Sequence, residues 1–307
     1  MKFARFTAIL VLIVAAAAPA MAQSRPAGGG VPAGVRAVRD LEYARLDGNV
    51  SLRLDLYTPE KAAVPSADGR PAPWALVVWI HGGGWVSGNK NGCPALVLVP
   101  KGFAAASIQY RLADAGPFPA QIHDCKGAIR WLRANAAKYN LDANRIGVWG
   151  GSAGGHLVAL LGTTAGNKEL EGTVGGNLDQ SSAVQAVCDF FGPADLTPLG
   201  DVKFAPGAAG PVTRLLGGPP SEKKELAVLA SPVTHVTKDA APFLIMHGDK
   251  DTTVPHHQSE LLNEALKKAG VEVTFKTVEG AGHGFGGPEI TKTVQDFFDK
   301  HLKAPAK

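Results

Sequence analysis

The stretch Trp149-Gly150-Gly151-Ser152-Ala153-Gly154-Gly155-His156 constrains this chain more than any other. It follows the short apolar run Arg145-Ile146-Gly147-Val148 and opens an apolar-periodic segment with Leu157, Leu160 and Leu161 on one side. The pattern predicts a strand, a sharp turn and a helix, with a serine at the apex and glycines on both sides. Glycine suits such a turn because strained, crowded backbone leaves no room for a Cβ. The helix that follows aims its N-terminal N–H groups at the serine, where a developing oxyanion is stabilised. Ser152 is therefore the candidate nucleophile, and a base, an orienting acid and further oxyanion donors have to come from elsewhere in the chain.

Apolar runs and periodic segments alternate on both sides of this elbow. Val50 to Tyr57 alternates through Leu52, Leu54 and Leu56, as an edge hairpin strand does. Ala75 to Ile80 is continuously apolar, the signature of a central parallel strand buried on both faces. Phe103 to Tyr110 is the next strand, and Ile122, Cys125, Ile129, Leu132 and Ala136 are spaced for a helix of about five turns. Beyond the elbow, Val184–Phe191, Pro242–His247 and Val271–Thr277 read as strands. Gln258–Ala269 reads as a helix closed by Gly270, and Ile290–Leu302 as the terminal helix. The alternation predicts one α/β domain over residues 38–303, with a mostly parallel central sheet and helices on both faces. Two stretches interrupt it: a polar, Gly-rich loop from Ala165 to Ser182, and a long insertion from Asp195 to Ala241 carrying Pro198, Pro206, Pro211, Pro219 and Pro220. An insertion of that length between core strands predicts a wall of the substrate pocket.

A chain of 307 residues with 45% hydrophobic and 19% charged side chains is long enough for such a core. Residues 1–22 read as a secretory signal peptide: Lys2 and Arg5, an apolar middle from Phe6 to Ala18, and the cleavage pattern Ala20-Met21-Ala22. The apolar middle is short for a bilayer span, so no membrane span is expected after its removal, and the protein is expected to be secreted or periplasmic. Residues 23–37, rich in Gly, Pro and Ala, read as a flexible lead-in. Losing Lys2 and Arg5 with the leader lowers the net charge from +4 to +2. No basic run interleaved with aromatics points to nucleic acid. Cys93, Cys125 and Cys188 leave an odd count, and buried free thiols are expected. No histidine lies near a cysteine at zinc-site spacing, and neither metal nor cofactor is expected.

Three further segments carry chemistry. His81-Gly82-Gly83-Gly84-Trp85 follows a buried strand. Alone it fits a tight turn; beside the elbow it fits an oxyanion loop, in which the N–H groups of Gly83 and Gly84 join that of Ala153. His81 is expected to brace this loop. His247-Gly248-Asp249-Lys250-Asp251 ends a strand and offers two acids. Asp251 is preferred as the orienting acid, because the Asp-x-x-Val-Pro arrangement puts it in the turn just past the strand; Asp249 fits a loop-bracing role. Among nine histidines, His283 alone follows the acid within a Gly-rich loop, Gly280-Ala281-Gly282-His283-Gly284-Phe285, and is the candidate base. His156 is expected to be a buried core residue. His256 and His257 are adjacent, so a helix would point them apart, and His123, His235 and His301 have no evident partner.

The chain order Ser152, Asp251, His283 is that of the α/β-hydrolase superfamily. From about Leu41 to Leu302 the chain resembles the bifunctional feruloyl and acetyl-xylan esterase-like group within it. The resemblance rests on Trp79-Ile80-His81-Gly82-Gly83-Gly84-Trp85, Tyr110-Arg111-Leu112, Pro119-Ala120-Gln121, Arg130-Trp131-Leu132-Arg133-Ala134, Ser152-Ala153-Gly154-Gly155-His156-Leu157, Ser231-Pro232-Val233-Thr234-His235-Val236 and His247-Gly248-x-x-Asp251. It implies Ser152, Asp251 and His283 as a triad and a secreted serine carboxylesterase acting through an acyl-enzyme on short acyl esters, with small molecules and the acetyl or feruloyl esters of plant polysaccharide as expected substrates. Hormone-sensitive-lipase-type esterases usually carry an acid before the serine, where this chain has Gly151. Kynurenine formamidases share the His-Gly-Gly-x-Trp loop, which keeps an amide substrate open. Prolyl-oligopeptidase-like peptidases share the acid and histidine turns, but no propeller domain precedes them here. A catalytically silent binding protein would be expected to show a broken triad or oxyanion loop.

Overall fold

The computed structural model describes residues 30–61, 71–199 and 209–303. The expected leader, residues 23–29 of the lead-in, and Pro206 lie outside the described residues. The described chain builds one eight-stranded sheet, in the spatial order β1-β2-β4-β3-β5-β6-β7-β8. Its strands are β1 (Val35–Leu46), β2 (Val50–Pro59), β3 (Trp74–Ile80), β4 (Ala104–Ile108), β5 (Leu141–Gly151), β6 (Ala186–Phe190), β7 (Phe243–Gly248) and β8 (Val273–Val278). β1, β2 and β4 are paired antiparallel, and every pairing from β4 through β3 to β8 is parallel.

The first strand differs from the expectation. Val50–Tyr57 is not the edge: β1 lies outside it, and it starts at Val35, within the expected lead-in. Two register irregularities, between Val38 and Leu41 and between Glu42 and Ala44, break β1's alternation, so its period of two is not visible in the sequence. The central strands behave as their composition requires. β4 and β6 are buried throughout, and β3 is buried except at its two tryptophans, Trp74 and Trp79.

Helices cover both faces. α1 (Ala120–Ala134), α2 (Ala153–Thr163) and α6 (His257–Lys268) lie on one, and α7 (Pro288–Leu302) on the other. α1 is about one turn shorter than its apolar spacing suggested, because the chain passes into a separate 3-10 turn after Asn135 and Ala136 lies outside the helix. On α7, Val294, Phe297, Phe298 and Leu302 are buried at helical spacing against Leu244, Met246 and Trp149. Gly270 takes the left-handed φ of +75° just past α6, as expected.

The polar loop from 165 to 182 carries the short helix α3 (Lys168–Glu171). Its carbonyls are held by cations projecting from α1. Arg130 donates to the carbonyls of Glu171, Val174 and Gly176, and Lys126 Nζ lies 2.6 Å from that of Thr164. The two side chains are nearly inaccessible, and their charge-assisted bonds to the backbone and to Glu171 hold the loop alongside the buried Leu170. The described part of the long insertion, 195–199 and 209–241, forms α4 (Pro211–Leu216), α5 (Lys224–Leu229) and a 3-10 turn over Pro232–His235. It sits above the C-terminal ends of the parallel strands, where open α/β sheets gather their ligand sites.

Candidate active site

Ser152 leaves β5 with φ +57° and ψ −123°, and α2 begins at the next residue. A serine in that conformation is strained, and the surroundings over-determine it. Its N–H donates to the carbonyl of Phe190 on β6, and its carbonyl accepts from His156 N–H in the first turn of α2. The helix sits so close to β3 that a Cβ on Gly154 would lie 2.1 Å from the carbonyl oxygen of Ile80, an approach only glycine allows.

The three residues chosen from the sequence form one hydrogen-bonded line. His283 Nε2 lies 2.9 Å from Ser152 Oγ, and His283 Nδ1 lies 2.7 Å from Asp251 Oδ2. An ionised carboxylate only accepts, so Nδ1 carries the proton and Nε2 is free to accept from the serine hydroxyl. The Asp251 side chain is inaccessible to solvent. Burial by itself would raise its pKa, but four hydrogen bonds outweigh that. They come from His247, His283 and the N–H groups of Val254 and Thr253, and they hold the carboxyl well below the usual range.

His247 was not assigned a role by its sequence context. It shares the same oxygen as His283, with Nε2 3.1 Å from Asp251 Oδ2 and 3.0 Å from the Val254 carbonyl, while Nδ1 meets Ser259 Oγ at 2.7 Å. Two acceptors fix the proton on Nε2, so Ser259 donates to Nδ1. Asp249 stands apart: its Oδ1 accepts from Gly280 N–H and its Oδ2 lies 3.4 Å from Lys250 Nζ, so it ties the acid loop to the histidine loop.

The glycine loop runs along the elbow. Gly82 lies against it, since a Cβ there would be 2.7 Å from the carbonyl oxygen of Gly151. Gly83, at φ +108°, turns the chain, and its carbonyl accepts from the N–H groups of Val86 and Ser87 and from Ser87 Oγ. Ala153 is the first residue of α2, so its N–H has no acceptor within the helix. Gly84, Ala153 and Ser152 line one apolar cavity of about 40 Å³, together with Trp85, Pro193, Leu199, Pro211, Val212, Thr253 and Val254. Leu199, Pro211 and Val212 come from the long insertion, which therefore forms part of this wall.

His81 braces the loop: Nδ1 lies 2.8 Å from the Gly82 carbonyl, its ring stacks on Tyr110 at 4.3 Å, and Tyr110 Oη donates to its carbonyl. His156 is buried, as expected, but it also joins two walls. Trp85 Nε1 donates to its Nδ1 at 3.2 Å, and its Nε2 donates to the Ala230 carbonyl at 2.7 Å. Burial pushes both imidazoles down to about 4. His256 and His257 do not simply diverge; both lie 3.2 Å from the carboxylate of Glu260. His123 and His235 meet the carbonyls of Glu169 and Leu229, and His301 meets Glu272. Among the described residues no three His, Cys, Asp or Glu side chains group as metal ligands, and the three cysteines are buried free thiols.

The sequence and the fold have counterparts among known proteins. The BD-FAE family model matches residues 54–266. Esterase LipC of Mycobacterium tuberculosis is 35% identical over 226 residues, which is 70% of this chain and 54% of LipC. The chain thus spans about half the length of that relative. A solved truncated carbohydrate esterase from gut microbiota is 34% identical, with a TM-score of 0.75 over 86% of this chain and 95% of that one. Esterase Est2 of Thermogutta terrifontis, solved with propionate bound, is 28% identical, with a TM-score of 0.65 over 87% of this chain and 92% of its own. With the family model covering most of the sheet and both sides of the elbow, the chain belongs to the BD-FAE family of the α/β-hydrolases.

Proposed function

We propose that the protein is a serine carboxylesterase that cleaves short-acyl esters through an acyl-enzyme. The observation that carries this is the hydrogen-bonded line from Ser152 Oγ through His283 to the buried Asp251. Ser152 Oγ attacks the ester carbonyl carbon as its proton passes to His283 Nε2. Asp251 stabilises the imidazolium that forms, and its own depressed pKa keeps it ionised while it does so. The tetrahedral oxyanion is received by the N–H groups of Gly83, Gly84 and Ala153. His283 then protonates the leaving alcohol oxygen, the acyl group stays on Ser152, and water repeats the sequence to release the acid.

The cavity beside Ser152 supports a short acyl group. At about 40 Å³ it is roughly a quarter of the about 150 Å³ of a cavity that accepts benzene. An acetyl or propionyl group suits it. The propionate-bound relative and the carbohydrate esterase relative support the same direction, namely acetyl esters on a polysaccharide or on smaller molecules. Export from the cytoplasm rests on residues 1–22.

Hydrolysis of p-nitrophenyl acetate tests the chemistry. Ser152→Ala is expected to lower kcat on the order of 10⁵-fold or more, and full activity in that variant would remove Ser152 from its role. In a series of p-nitrophenyl esters, kcat/KM is expected to fall steeply beyond propionate. A preference for octanoate, or for methyl ferulate over methyl acetate, would overturn the short-acyl reading.

A further inference from the structure

Beside His283, the site carries an aromatic bed that the proposed chemistry does not use. Phe191 packs against the His283 ring with centroids 4.6 Å apart, and Phe285 meets Phe191 edge-on at 5.2 Å. Beneath them lie Phe190, 4.9 Å from Phe285, and Trp149, 5.3 Å from Phe190; Trp79 crosses Trp149 at 5.6 Å. Phe190 and Trp149 are buried, whereas Trp79, Phe191 and Phe285 remain partly exposed. Gly151 leaves this bed uncovered. A Cβ there would lie 3.3 Å from Phe191 Cε2 and 3.8 Å from Trp79 Cη2, so a side chain before the serine would lie against these rings.

Phe191 also holds a left-handed φ of +43°, anchored by its N–H to the Met246 carbonyl. A bulky residue rarely adopts that region, and such strain points to a position that serves the site.

The side of the site decides what the bed can hold. His283 must deliver a proton to the leaving oxygen, so the alcohol lies on the His283 side of the scissile bond. His283 does not line the acyl cavity, and the ring packed against His283 is Phe191. We propose that Trp79, Phe191 and Phe285 form a binding shelf for the alcohol part of the ester, and that this alcohol carries a ring with a flat apolar face, such as a sugar ring. The proposal rests on the esterase reading above and deepens it: small acyl group, large cyclic alcohol.

The test compares three acetates, ethyl acetate, cyclohexyl acetate and an O-acetylated methyl xyloside, on the whole protein and on Phe285→Ala. Loss of one aromatic contact is expected to lower the ring-to-ethyl ratio of kcat/KM about tenfold, chiefly through KM. A fall with either ring supports the shelf, and the pair of substrates identifies the ring. Phe285→Leu keeps apolar volume without the aromatic face and is expected to recover only part of the ratio. An unchanged ratio in Phe285→Ala, with esters still hydrolysed, overturns the shelf and leaves the esterase reading standing. A shift in the butyrate-to-acetate preference instead of the alcohol preference places the bed on the acyl side and overturns it as well. Failure of the parent protein to hydrolyse any acetate overturns the esterase reading, and the shelf falls with it.

Discussion

Asp251 and Asp249 are two residues apart, yet their surroundings give them different work. Asp251 accepts from two imidazoles and two backbone N–H groups without contact with solvent, whereas Asp249 spans two surface loops. Asp251→Asn is expected to lower kcat on the order of 10³–10⁴-fold, because the amide no longer fixes the His283 tautomer or stabilises its charged form. Asp249→Asn is expected to cost less than about tenfold, since only a loop contact weakens. Steady-state kinetics on p-nitrophenyl acetate separate the two, and a larger loss from Asp249→Asn would reverse their assignment. Asp251 stood out in the sequence because the Asp-x-x-Val-Pro arrangement puts it in the turn just past the strand. The second imidazole did not: His247 is buried at the end of β7, and nothing in its neighbours announced that it would share Asp251 Oδ2.

At the scale of elements, the elbow depends on how closely α2 approaches β3. In Gly154→Ala the new methyl would meet the Ile80 carbonyl, a backbone atom that cannot rotate away. Overpacking of this kind costs about 1–3 kcal/mol or more, so a drop of several degrees in Tm is expected, together with loss of esterase activity from a displaced Ser152. A Tm equal to the parent's would show that α2 has room to move. His156 links the same helix to the glycine loop and to the insertion. His156→Leu orphans the Trp85 indole N–H and the Ala230 carbonyl, and is expected to destabilise by about 2–5 kcal/mol in urea unfolding. A loss below about 0.5 kcal/mol would mean that neither bond contributes. The spacing of apolar residues predicted α2 and its buried face, but the two walls His156 joins are 71 and 74 residues away along the chain.

For the whole molecule, buried titratable groups set the response to acid. His81 and His156 titrate at about 4 when folded, against the ordinary 6.5. Between those values the unfolded chain binds protons the folded one does not, so stability falls as pH falls, by about 1.4 kcal/mol per pH unit for each imidazole. Asp189, beneath the elbow on β6, acts in the opposite sense. Burial raises its carboxyl to about 6, one oxygen accepts from Gly192 N–H, and the other has no partner. From pH 6 down to about 4 the folded state holds the extra proton, which offsets one imidazole. The net expectation is a loss of about 4 kcal/mol between pH 6.5 and pH 4, read from urea midpoints. A midpoint that rises on acidification would contradict it. Asp189→Asn mimics the protonated form, so its stabilising effect is expected to be largest near pH 8 and to shrink towards pH 5.

The local order of this chain was already present in its residues. Continuous apolar runs marked the parallel strands, helical spacing marked α1, α2, α6 and α7, and glycines around a serine marked the turn, because each depends only on neighbours a few positions apart. Ser152, Asp251 and His283 were each found beside such a marker. What only the tertiary structure decided depends on segments distant in sequence. β1 lies outside β2 despite its irregular pattern, because the sheet supplies the partner. His247 and His283 converge on one oxygen, and the insertion brings Leu199, Pro211 and Val212 to the cavity beside Ser152. Trp79 and Phe191 flank Gly151, and Phe285 reaches Phe191, only once β3, β5, β6 and the last loop are brought together. Distance along the chain carries no record of those meetings; packing creates them.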